Sequence, residues 1–213
     1  MKRTTWSKLF AVLALLGSTA ALHAQESPVE RVDRIELQNL EVFDSSGRLP
    51  AYRIDRGRHS PHQRRIRLHR SREFAIRCRF DTSCLYLAAD HINKIFGYSF
   101  GWNHHRNSFR IGWRCSGDRI EVVAYWYLRG SSSYEHLFYI EPEEAFSLHA
   151  VIGQEVAQLS YRVGQDSWQG QQVLYNPEKK ALRNWGYVNY PYFGGREKAP
   201  HPMVVYLKAW IGP

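Results

Sequence analysis

The sequence predicts a mostly β chain, an antiparallel β-sandwich of jelly-roll-like character with one short helix near residues 85–96, behind a cleavable export leader. Three observations predict it. Apolar and polar residues alternate with period two through most of the chain, and turn residues recur roughly every ten positions. Aromatic residues make up 14% of the chain, a class suited to pleated, half-buried surfaces.

The leader comes first. Lys2, Arg3 and Lys8 are followed by the apolar run Leu9 to Leu16 and the small-residue stretch Gly17 to Ala24. Basic, then apolar, then small is the order of a secretory signal, and cleavage is expected after Ala24. The apolar stretch is too short for a retained membrane span, and no later segment reaches that length, so stable membrane insertion is not expected. Residues 25–213 then form a single domain, periplasmic or extracellular. The whole chain carries a net charge of +9; the leader holds three of the 29 basic residues and none of the 20 acidic ones, which leaves +6 for the domain. An exported cation of this kind meets anionic polysaccharide or another envelope component. With no recognisable nucleic-acid module, nucleic acid is not an expected partner.

The clearest local structure lies in the middle. Phe109, Ile111, Trp113 and Cys115 share one parity and Ser108, Arg110, Gly112 and Arg114 the other, before the turn Ser116-Gly117-Asp118. Alternation resumes over Arg119–Leu128 and again over Tyr134–Glu141, so a hairpin grows into a three-stranded meander. Further strands are predicted over 34–43, 65–69, 73–80, 145–152, 155–163, 171–175 and 203–210. Leu85, Ala88, Ala89, Ile92, Ile95 and Phe96 instead fall at helical spacing, with Gly97 placed to end the helix. Of the three cysteines, Cys78 and Cys84 flank a short bend and are the expected disulfide, with the alternative that Cys78, in phase with Phe74, Ile76 and Phe80, is a buried free thiol. A ring that small stabilises by about 2 kcal/mol on the chain-entropy estimate, and Cys115 is left over.

Two aromatic stretches are the candidate binding surface. In Phe96–Ser108, two glycines and Trp102 lead to the polar tip Asn103-His104-His105-Arg106-Asn107 at the entrance to the hairpin, with Arg110 just inside it. Near the end, Tyr190 and Tyr192 precede Gly194-Gly195, Arg196 and His201. Aromatic faces bracketed by Asn, His and Arg suit sugars, whose ring C–H faces stack while their hydroxyls and carboxylates need polar partners. The expected ligand-binding set is therefore Trp102, Asn103, His104, His105, Arg110, Tyr190, Tyr192, Arg196 and His201. Ten arginines between Arg53 and Arg79, opposed by Asp55 and Glu73, form a further basic region. The histidine spacings match no closed zinc pattern, so no metal or other cofactor is expected.

No hydrolase elbow, phosphate loop, dinucleotide fingerprint or zinc-protease motif occurs, and no catalytic residue is assigned. The strand texture resembles the jelly-roll sandwiches found among secreted carbohydrate-binding and carbohydrate-cleaving proteins, a likeness at the level of fold. The leading expectation is a non-enzymatic exported protein that binds an anionic glycan or envelope component. The alternatives are a polysaccharide lyase acting on uronic-acid polymers and a structural or assembly protein of the envelope. Neither the ligand nor the oligomeric state follows from the sequence.

Overall fold

The computed structural model describes residues 48–63, 66–87, 91–175 and 183–213. The export leader and the strand expected over 34–43 lie outside the described residues.

The described residues form a β-sandwich of two six-stranded antiparallel sheets. The first runs β1 (Ala51–Ile54), β12 (Met203–Ile211), β3 (Glu73–Phe80), β8 (Ala145–Ile152), β9 (Val156–Val163), β10 (Gln169–Leu174). The second runs β2 (Leu68–His69), β11 (Gly186–Asn189), β4 (Asn93–Ser99), β5 (Asn107–Ser116), β6 (Arg119–Leu128), β7 (Ser131–Ile140). Strands late in the chain insert between early ones in both sheets, β12 between β1 and β3 and β11 between β2 and β4. That crossing gives the sandwich its jelly-roll character.

The core lies between the sheets and is built from one parity of each strand. Phe74, Ile76, Cys78 and Phe80 of β3 face Phe96 and Tyr98 of β4 and Phe109, Ile111 and Trp113 of β5. Rings interlock across the gap, Phe80 on Trp113 and Phe138 on Phe146 each at 5.1 Å between centroids. Each such side chain contributes about 1.5 to 3 kcal/mol by leaving water.

The helix expected over 85–96 is corrected to a strand. Among the described residues there, only the short 3-10 turn Thr82–Cys84 is helical, and Asn93–Ser99 is β4. The cause is a bulge: the register with β5 shifts between Lys94 and Phe96. Ile95 and Phe96 are consecutive yet both sit in the core. Two buried neighbours after Ile92 imitate the i, i+3, i+4 spacing of a helix. The bulge also turns Lys94 outward while Phe96 stays inward. Among the described residues no helix is long and apolar enough to cross a membrane.

The Cys78–Cys84 disulfide is also corrected. Cys78, Cys84 and Cys115 are all free and buried. Cys78 points into the core from β3, whereas the Cys84 thiol donates to the Val204 carbonyl at 3.2 Å and that of Cys115 to the Cys84 carbonyl at 3.1 Å. Burial pushes the Cys78 and Cys84 thiols up, away from the reactive thiolate. A thiol titration of the unfolded, unreduced protein should count three thiols per chain, with the folded protein nearly inert. A count of one would restore the bridge.

Candidate functional site

The side of the second sheet turned away from the core collects polar and aromatic side chains. Arg110 of β5 stands opposite Tyr125 of β6 on one side and opposite Gly97 of β4 on the other, and Ser108 stands opposite Tyr127. Asn189 of β11 pairs with Gly97 from the far edge of β4. Beyond β11 the chain returns to β4, where Tyr192 exchanges both backbone hydrogen bonds with Lys94. Directly opposed residues of an antiparallel pair project to the same side. Lys94, Ser108, Arg110, Tyr125, Tyr127, Asn189 and Tyr192 therefore share this outer face.

Gly97 makes the arrangement possible. Its φ of +152° suits glycine, and a Cβ there would lie 2.3 Å from the Phe109 carbonyl oxygen, 2.5 Å from Arg110 Cα and 3.0 Å from Arg110 Cγ. Arg110 lies against the bare glycine backbone. Its guanidinium carbon is 5.3 Å and 5.4 Å from the ring centroids of Tyr125 and Tyr127. Lys94 Nζ donates to the Ile92 carbonyl and sits 4.5 Å from the Tyr125 centroid. Two cations thus share one ring.

Both cations are costly where they stand. Arg110 is 4% exposed and Lys94 8%. Neither meets a carboxylate among the described residues. Arg110 Nε and Nη2, Ser108 Oγ and Asn189 Nδ2 are buried with no hydrogen-bond partner among the described residues. Burial, then the charge of Arg110, pushes Lys94 down to about 7. Burial also lowers His105, and the positive charges of Arg110 and Lys94 add to the effect. Glu121, further along β6, is engaged instead by Arg114 at 2.6 Å and His136 at 3.0 Å. Buried polar groups elsewhere in folded proteins are overwhelmingly paired, so this cluster of idle donors is the candidate site.

The loop at 100–106 closes one end. Gly101 N–H donates to the Trp185 carbonyl at 2.9 Å, and Trp102 packs edge-on against Trp185 at 5.1 Å while staying 67% exposed. Asn103 Oδ1 accepts from the His105 N–H and shapes the turn. His104 Nδ1 meets the Tyr187 hydroxyl, and His105 leans on both His104 and the Tyr127 ring. An open hollow of about 540 Å³, lined by Asn103, His105, Arg106, Arg129 and Gly130, continues from there.

The structure thus gathers His104, His105, Arg110 and Tyr192 and sets Trp102 and Asn103 at the rim. It does not bring in the others. Tyr190 packs on the far side, stacked on Tyr52 at 6.1 Å and edge-on to Phe96 at 5.9 Å. His201 is held to the Ser83 carbonyl at 2.8 Å, and Arg196 is exposed beyond Gly194. Among the described residues of the basic region from 53 to 79, Arg79 pairs with Glu143, Arg53 with Asp55, and Arg72 with Asn184. Sequence reasoning missed Lys94, hidden in the false helix, and Asn189. Tyr125 and Tyr127 were within reach, since strand parity alone puts them beside Arg110.

Fold and candidate site together define a jelly-roll β-sandwich with a largely buried, tyrosine-walled cationic cluster on the outer side of its second sheet. No family model and no curated protein sequence matches the chain. Solved structures similar to it include a functionally unknown protein from Saccharomyces cerevisiae, at 10% identity and TM-score 0.47, over 75% of this chain and 83% of that one. The alginate lyase from Klebsiella pneumoniae is similar at 11% identity and TM-score 0.44, over 66% of this chain and 59% of that one. The GH43 BlXynB protein from Bacillus licheniformis is similar at 12% identity and TM-score 0.41, over 72% of this chain and 29% of that one. Carbohydrate-active β-sandwich proteins are thus among its structural neighbours, but likenesses this distant assign neither substrate nor reaction.

Proposed function

We propose that this is an exported protein that binds an anionic glycan or envelope component on the outer face of the second sheet, around Arg110. One observation supports the reading above the rest: a buried guanidinium with idle donors, flanked by tyrosine rings and Lys94, with no carboxylate partner among the described residues. Such a group is stabilised when an anion arrives and is expensive until then. The rings offer flat apolar surface for sugar faces, and the basic leader with its apolar core supports export.

Affinity for an anionic polysaccharide, followed by calorimetry, should fall as pH rises through about 7, because Lys94 loses its proton there. Lys94→Met should flatten that profile. Binding that is independent of pH between 6 and 9 (roughly two pH units above and one below the Lys94 midpoint) contradicts a role for Lys94 in this face.

A lyase is the second reading, favoured by the contact between His104 Nδ1 and the Tyr187 hydroxyl on the side of the sheet where Arg110 lies. In β-elimination a base takes the C5 proton of a uronate, the C4–O bond breaks with a C4=C5 double bond forming, and the departing oxygen is protonated. Incubation with polyuronates should give no ultraviolet absorbance of unsaturated product if the protein only binds. A signal lost in Tyr187→Phe would make it a lyase.

A further inference from the structure

We infer that the Arg110 seat is shaped for a planar carboxylate, so that the ligand is a uronate-bearing glycan rather than a sulfated one; this rests on the reading of the Arg110 face as a glycan site. The two idle guanidinium nitrogens, Nε and Nη2, are adjacent on a single edge of the group. That edge offers two parallel N–H vectors, the spacing of which matches the two oxygens of one carboxylate. The rest of the guanidinium is hemmed in. Its carbon lies within 5.4 Å of the Tyr125 and Tyr127 centroids, and its stem lies along the backbone of Gly97.

A carboxylate keeps its charge on two oxygens within the plane of such a fork. A sulfate ester spreads its charge over three, and seating two on the edge drives the third out of plane toward the walls. Two further idle groups lie on the same side of the sheet. Asn189 stands across the side-chain-free Gly97 from Arg110, and Ser108 lies two residues before Arg110 on the same face of β5. Both can donate to a carboxylate oxygen without adding charge, as suits a monoanion. From the seat, His105 leads to the hollow with Arg106 and Arg129, a path along which a second charged sugar of the same chain would lie.

The test uses the whole protein and four probes: polygalacturonate, its fully methyl-esterified form, dextran sulfate and neutral dextran. Polygalacturonate should bind, with its methyl ester and dextran sulfate at least about tenfold weaker and dextran inert. Arg110→Lys, which keeps the charge and loses the fork, should cost at least about tenfold in polygalacturonate affinity and little in residual dextran sulfate affinity. Circular dichroism melting establishes that this variant is folded; should it not be, the comparison of acid with methyl ester on the natural protein decides alone. Dextran sulfate that binds as tightly as polygalacturonate and displaces it overturns the carboxylate assignment and leaves the anionic-glycan reading standing. Equal binding of acid and ester overturns the assignment as well. Failure of both charged polymers to bind overturns the reading itself.

Discussion

Arg110→Met is expected to stabilise the fold by about 1 to 3 kcal/mol while abolishing anionic-glycan binding. Burying an uncompensated cation costs several kcal/mol even after relaxation, and Arg110 has no carboxylate partner among the described residues. What the guanidinium gains in place is its contact with Tyr125 and Tyr127, about 0.5 to 2 kcal/mol for each desolvated cation–π pair. Methionine keeps much of that packing, since its flexible thioether fills irregular gaps against aromatic rings. Desolvation is the larger quantity, so the melting temperature should rise by several degrees. A fall in stability of more than about 1 kcal/mol would identify Arg110 as a structural pillar and remove the main reason for calling this face a site.

Gly97→Ala is expected to cost more than about 3 kcal/mol, enough to leave little folded protein. The new methyl would meet backbone, not a movable side-chain tip: the Phe109 carbonyl oxygen at 2.3 Å and Arg110 Cα at 2.5 Å. The +152° φ adds strain that any L side chain would feel. Relief requires β4 and β5 to separate at the centre of the second sheet, which also takes the floor from under Arg110. Gly195→Ala is the control, since a Cβ there meets nothing within 4 Å, and its cost should stay within about 0.5 kcal/mol. Equal tolerance at both positions would show that the β4–β5 contact is looser than the geometry implies. Binding measured on whatever folded Gly97→Ala remains should be weak.

How much of this was legible depended on whether the information was local. The hairpin β5–β6 could be read nearly residue by residue, because strict alternation with a Gly-Asp turn fixes register without reference to anything distant. The strands β3 and β8 were likewise visible. Strand β4 was not, because its bulge breaks the parity on which strand recognition depends and leaves Ile92, Ile95 and Phe96 spaced like a helix. The four-residue strand β11 was missed for another reason. Its residues Gly186 to Asn189 are too few to establish a period, and its place beside β4 comes from a pairing across about ninety residues of sequence.

The site divides in the same way. Arg110 and the histidine loop stand out in the sequence because they sit at a turn leading into a well-marked hairpin. Of the C-terminal tyrosine stretch expected to join them, Tyr192 pairs with Lys94, whereas Tyr190 stacks on Tyr52 and His201 is held to the Ser83 carbonyl. Tyr190 packs against the core, whereas Tyr192, two residues on, pairs with Lys94 on the outer side. Residue composition cannot reveal such a change of side. Lys94 is the clearest case: in a helix it would be an ordinary solvated charge, whereas in the bulged strand it is buried against Tyr125.

Nitrogen–proton NMR of the arginine side chains gives the most direct measurement. The Nε–Hε group of Arg110 is buried with no partner among the described residues, so its proton should be shielded from exchange with water and give a resolved cross-peak. Titration with an oligogalacturonate should shift that peak ahead of those of the exposed arginines, as its N–H gains a charged acceptor. A complex formed at saturating ligand with the Arg110 peak unmoved would place recognition elsewhere on the molecule and contradict the account.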